Sequence, residues 1–69
     1  MKIQTYRDRR RAERACALRS LNASRRGECS QVELRCLGPN GFVGGYPGDM
    51  AKRFPNAGIV AQWSGGCRV

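Results

Sequence analysis

The alternating stretch Gln31-Val32-Glu33-Leu34-Arg35-Cys36-Leu37, followed at once by Gly38-Pro39-Asn40-Gly41, restricts this chain more than any other feature. A strand turns successive side chains to opposite faces. Val32, Leu34 and Cys36 therefore share one side, and Gln31, Glu33 and Arg35 the other. One face for a core and one for solvent predicts an antiparallel sheet. The tetrapeptide that follows is a turn. Pro39 presets its backbone angle, Asn40 tolerates unusual dihedrals and Gly41 allows positive φ. The return strand is Phe42-Val43-Gly44-Gly45-Tyr46, whose two glycines permit a bulge or a close approach of another backbone.

A helix is expected ahead of this hairpin, from about Arg7 to about Ala23. Thr5 and Asp8, three residues apart, resemble a capping box, and Gly27 is a stop. Ala12, Ala15, Leu18 and Leu21, with Cys16 four after Ala12, make an apolar ridge of small residues first and leucines last. The N-terminal Lys2-Ile3-Gln4-Thr5-Tyr6 reads equally as a short strand or as the lead into the helix. After the hairpin, Pro47-Gly48-Asp49 breaks the strand. Asp49 is placed to cap a short helix from Met50 to Phe54, which Pro55 ends. Asn56-Ala57-Gly58 turns into a last strand, Ile59 to Trp63, with Ile59, Ala61 and Trp63 on one face. Residues 64–69 read as a mobile tail.

The fold class is thus α+β: a single domain, residues 1–69, with one long N-terminal helix packed on a small three- to four-stranded antiparallel sheet. The expected core is Leu18, Leu21, Val32, Leu34, Cys36, Phe42, Ile59, Ala61 and Trp63, with Ala12 and Ala15 closing the helix contact. A chain of 69 residues buries only about 60% of its unfolded surface, which leaves room for a homodimer or another stabilising partner.

Charge is where the sequence turns toward function. The net charge is +8, and residues 1–26 carry nine basic side chains against two acidic ones. Five arginines fall in Arg7-Asp8-Arg9-Arg10-Arg11-Ala12-Glu13-Arg14. Cations in the first turns oppose the helix dipole by about 0.3–1 kcal/mol each and repel one another, so helix stability does not place them there. Arginine forks onto phosphate in bidentate fashion and stays charged when partly desolvated. The candidate binding residues are Arg7, Arg9, Arg10, Arg11 and Arg14, supported by Arg25 and Arg26. The plain alternative is a solvated face in an arginine-rich chain.

Catalytic chemistry finds little to work with. The chain has no histidine, hence no Ser-His or Cys-His pair, and its five carboxylates include the two helix-cap candidates. The glycine-rich stretch Gly38 to Gly48 lacks the order of a phosphate loop. Cys16, Cys29, Cys36 and Cys67 have no paired spacing, which disfavours zinc, and they read as small apolar residues. Cys16, on the basic helix, is the one nucleophile candidate. Met1-Lys2 is not followed by an apolar stretch, and no apolar run approaches membrane length, so a cytoplasmic protein is expected. The order of elements is similar to that of an RNA recognition motif, with Asn40 to Tyr46 on its third strand. Asn40 stands at the motif's basic position and Val43 at its small one, and Lys2 to Tyr6 lacks the partner motif, so membership is not assigned.

The expectation is a non-enzymatic binder without cofactor or metal, holding nucleic acid, DNA or RNA, through phosphates. The alternative is a small inhibitor of the kind phages and mobile elements encode, such as an anti-CRISPR or polymerase inhibitor. It would occlude an acidic or nucleic-acid-binding protein complex. An anionic-membrane role is weaker, because the arginines have no large apolar neighbours.

Overall fold

The computed structural model describes residues 5–69. The elements are β1 (Thr5–Tyr6), α1 (Arg9–Arg25), β2 (Val32–Cys36), a single 3₁₀ turn (Gly38–Asn40), β3 (Phe42–Gly45), α2 (Pro47–Arg53), β4 (Gly58–Ser64) and β5 (Cys67–Arg68). The strands form one antiparallel sheet in the order β1-β3-β2-β4-β5. The α+β class holds, with five strands rather than three or four. Lys2, Ile3 and Gln4 lie outside the described residues, and Thr5–Tyr6 is strand.

The β2–β3 hairpin is the one the sequence specifies. Glu33 to Cys36 pair with Gly45 to Phe42, and the 3₁₀ turn closes with Leu37 N–H donating to Gly41 O at 2.7 Å. Val32, Leu34, Ala61 and Trp63 line the face covered by α1 and form the core with Ala12 and Cys16. Tyr6, Phe42 and Tyr46 are half-buried against this core. The two sheet aromatics of the RNA-recognition pattern, Phe42 and Tyr46, thus pack beneath a helix instead of forming an open stacking face.

The inner line of α1 is Ala12, Cys16, Ser20 and Ala23, all buried. Every one is small, so the helix lies close on the sheet. A Cβ added at Gly44 would collide with the Cys16 sulfur. The glycines of β3 thus make room for side chains, Cys16 against Gly44 and Met50 against Gly45, in place of the expected bulge or close approach of another backbone. Size therefore misleads about which face is inside. Leu18, expected in the core, is 56% exposed. Leu21 is half-buried against Gly66, and Ala15, Cys36 and Phe42 are also half-buried. Ser20 is wholly buried because its hydroxyl is fully used. It donates to Ser30 O at 2.6 Å and accepts from Gly66 N–H at 2.9 Å.

The helix ends also differ in detail from expectation. Asp8 is itself the N-cap, its carboxylate accepting from Arg10 N–H at 3.0 Å, while Thr5 belongs to β1. The helix therefore starts at Arg9 and runs to Arg25. Gly27, at φ 71°, ends it as predicted: Glu28 N–H bonds Ala23 O at 2.9 Å and Gly27 N–H bonds Ser24 O at 3.1 Å. These two bonds are a Schellman motif, which needs the left-handed residue that glycine supplies.

Three further expectations are corrected. Pro47 opens α2 at its first position, with Tyr46 as N-cap, so Asp49 sits within the first turn and does not cap. Glu33 and Arg35, expected to face solvent, are buried beneath α2 and the Phe54–Ala57 segment. Ile59 does not join Ala61 and Trp63. Leu34 pairs with Ala61 but Arg35 pairs with Ile59, so Val60 bulges and Ile59 turns to the other face, 52% exposed. The last residues, read as a tail, form a hairpin instead. Gly65 and Gly66 turn the chain, Cys67–Arg68 pairs with β4, and Val69 N–H reaches Gln62 O at 2.9 Å.

Candidate functional site

The arginines of α1 are placed by what its other face must do. Four small residues commit one side of the helix to the sheet, and at 3.6 residues per turn the remaining positions fall outward. Arg11, Leu18 and Arg25 are seven residues apart and so lie nearly on one line. Arg14 sits beside that line and Arg10 one turn before Arg14. Arg7, Arg9, Arg10, Arg11, Arg14, Arg25 and Arg26 are all exposed, so all seven candidate residues are on the surface. Because α1 covers one sheet face and α2 packs on the other, with Met50 meeting Gly45 while Cys16 meets Gly44, α2 does not shield this surface.

The seven are not electrostatically equal. Arg9 pairs with Glu13 at 3.8 Å, and Glu13 also receives Arg68 of β5 at 3.4 Å. Arg26 pairs with Glu28 at 2.8 Å. These exposed ion pairs contribute about 0–1 kcal/mol each, but they partly neutralise the two arginines. Arg7, Arg10, Arg11, Arg14 and Arg25 have no acidic side chain within 4.0 Å among the described residues. The structure thus resolves the run into a paired minority and five cations open to an external anion. They form two groups, Arg7, Arg10, Arg11 and Arg14 at the start of α1 and Arg25 at its end.

Sequence reasoning missed Leu18 as part of this surface. The signal was present: the line Ala12, Cys16, Ser20, Ala23 puts Leu18 on the far side, but only if a serine is accepted as a core residue. It also missed Arg68, which reaches Glu13 from 55 residues away. Nothing local to either residue announces that contact.

Cys16 is no surface nucleophile. Burial pushes its thiol up from 9.0 to about 11, against a smaller lowering by Arg19, with Glu13 raising it slightly further. It stays protonated at neutral pH, packed against Gly44. All four cysteines are free thiols. Among the described residues no three His, Cys, Asp or Glu side chains gather as a metal-ligand set, and no helix is long and apolar enough to cross a membrane. No family model matches the chain, and no curated protein or solved structure is significantly similar to it.

Proposed function

We propose that this protein binds nucleic acid through phosphate contacts made by the outer face of α1. The observation that carries the reading is the set of five exposed arginines, Arg7, Arg10, Arg11, Arg14 and Arg25, without acidic partners among the described residues. Four of them stand on a helix whose inner face is occupied by the sheet, and Arg7 lies just before its Asp8 cap. Arg7, Arg10 and Arg11 crowd the positive end of the helix dipole, where they oppose folding. An external polyanion relieves both that opposition and their mutual repulsion. Phosphate suits the guanidinium fork, and a row of phosphates suits a row of arginines.

The test is binding of purified protein to nucleic acid across ~50–300 mM salt. Neutralising about five phosphates predicts a log–log salt slope of about −4 to −5 on duplex DNA. The triple substitution Arg10→Glu, Arg11→Glu and Arg14→Glu should remove binding while the circular-dichroism spectrum is kept. Undiminished binding by that folded variant would sink the reading. Absence of binding at the lowest salt would assign the arginines to an acidic protein surface, as an occluding inhibitor requires.

A further inference from the structure

The outer face of α1 is basic at both ends and apolar in the middle. Leu18 is 56% exposed, seven residues after Arg11 and seven before Arg25. At 1.5 Å per residue it stands about 10 Å from each, and the two arginines are about 21 Å apart along the axis. Ala15, three residues before it and so its neighbour on this face, is small and keeps the middle of the face low.

This layout separates the forms a nucleic acid can take. A single strand is held by stacking its bases on exposed aromatic rings. All five aromatic residues here, Tyr6, Phe42, Tyr46, Phe54 and Trp63, are buried or half-buried, and none is on α1. A-form RNA closes its major groove to side chains, and its wide minor groove is read through 2′-hydroxyls, to which a leucine offers no hydrogen bond. The major groove of B-DNA is about 12 Å wide and admits one helix. A helix seated obliquely within it, at roughly 35° to the groove direction, brings arginines about 21 Å apart to opposite walls, so the guanidiniums reach phosphates of both strands. Its central outward residue then meets the groove floor. The one apolar group on that floor is the thymine methyl.

Resting on the nucleic-acid reading above, we propose that α1 seats in the major groove of duplex DNA. Arg10, Arg11 and Arg14 hold one phosphate wall, Arg25 holds the other, and Leu18 packs on a thymine methyl. The phosphate contacts set affinity, and Leu18 supplies a preference for thymine-bearing steps.

The experiment uses the intact chain at one salt concentration. Its probes are an alternating adenine–thymine DNA duplex of two helical turns, the same duplex with uracil replacing thymine, the matching RNA duplex, and the single strands. Duplex DNA should bind about tenfold or more tighter than the RNA duplex and the single strands. Loss of the methyl in the uracil duplex should weaken binding about threefold to fivefold. Leu18→Ala, on an exposed position, should erase the thymine–uracil difference and leave the salt slope unchanged. Equal binding to all probes would overturn the groove placement while leaving phosphate binding standing. A duplex-DNA preference with no thymine–uracil difference would overturn the position given to Leu18. No binding to any probe at low salt would overturn both readings and make Leu18 the apolar centre of a protein contact.

Discussion

The two faces of the sheet are closed by different means. Beneath α1 the sheet supplies the bulk, Val32, Leu34 and Trp63, and the helix supplies small residues that let it approach. Beneath α2 the residues buried with Val43 and Met50 are Glu33 and Arg35. Their ion pair, Arg35 Nε to Glu33 Oε1 at 2.8 Å, is almost wholly removed from solvent. The guanidinium also donates to Phe54 O at 2.9 Å and Ala57 O at 3.4 Å. It thereby ties the central strand to the segment that carries the chain from α2 into β4. The lesson is that alternation reports which residues share a face, not which face is wet. A polar face can be buried when its charges satisfy each other and the nearby backbone.

The most direct way to break this contrast is to remove one partner of the pair. Arg35→Met leaves Glu33 as an unpaired buried charge and strips a donor from two carbonyls. A loss of about 3–5 kcal/mol is expected, comparable with the whole stability a core of this size supplies. Urea unfolding should show Arg35→Met largely unfolded without denaturant. Glu33→Leu combined with Arg35→Met should recover much of the loss, because an apolar pair of similar volume avoids the desolvation of two charges. If Arg35→Met alone were as stable as the parent, the pair would not be what closes the α2 face.

The α1 face has its own buried titratable group, the Cys16 thiol. The folded chain holds the Cys16 proton up to about pH 11, whereas an ordinary thiol releases it near 9.0. Between those values the unfolded state binds fewer protons than the native state, so stability falls as pH rises. The contribution is fully present below about pH 9 and lost as pH climbs to about 11, by up to about 3 kcal/mol. Cys16→Ala removes the thiol and should flatten this part of the stability–pH curve relative to the parent. The readout is the difference in slope between the two proteins, which a uniform packing loss leaves untouched. Equal slopes would mean that the thiol reaches solvent in the native state.

These two faces also explain what could be read from the residues alone. The hairpin was legible because alternation and the Pro39-Asn40-Gly41 turn are local and agree. The inner line of α1 was half legible. Ala12 and Cys16 point to it, but Ser20 looks polar until its hydroxyl meets Ser30 O and Gly66 N–H, which are distant in sequence. Leu18 was drawn into the core by its size. Ile59 was misplaced because a bulge at Val60 resets the alternation, and no residue of β4 marks it. The buried Glu33–Arg35 pair was invisible because its cover, α2, was expected to start three residues later. For the surface, the arginine cluster was legible as composition. Which of its members are already neutralised was not, since Glu13 is shared with Arg68 from the far end of the chain.

The smallest expected effect separates the two sides of α1 itself. The inner side is fixed by packing, and its substitutions should destabilise. The outer side carries cations where the dipole calls for anions. Arg10 and Arg11 are the second and third helical residues after the Asp8 cap, and no acidic residue lies in that first turn. Arg10→Glu and Arg11→Glu each replace an opposed charge with a favoured one, next to backbone N–H groups that have no helical acceptor. Each should raise stability by about 0.3–1 kcal/mol at low ionic strength, fading as salt is added. The check is a urea midpoint that moves upward in each single variant while its nucleic-acid binding weakens. Stability gained as binding is lost is what arginines kept for an external anion predict. A fall in the urea midpoint would instead show that Arg10 and Arg11 stabilise the fold, and it would remove the physical reason for assigning them to a ligand.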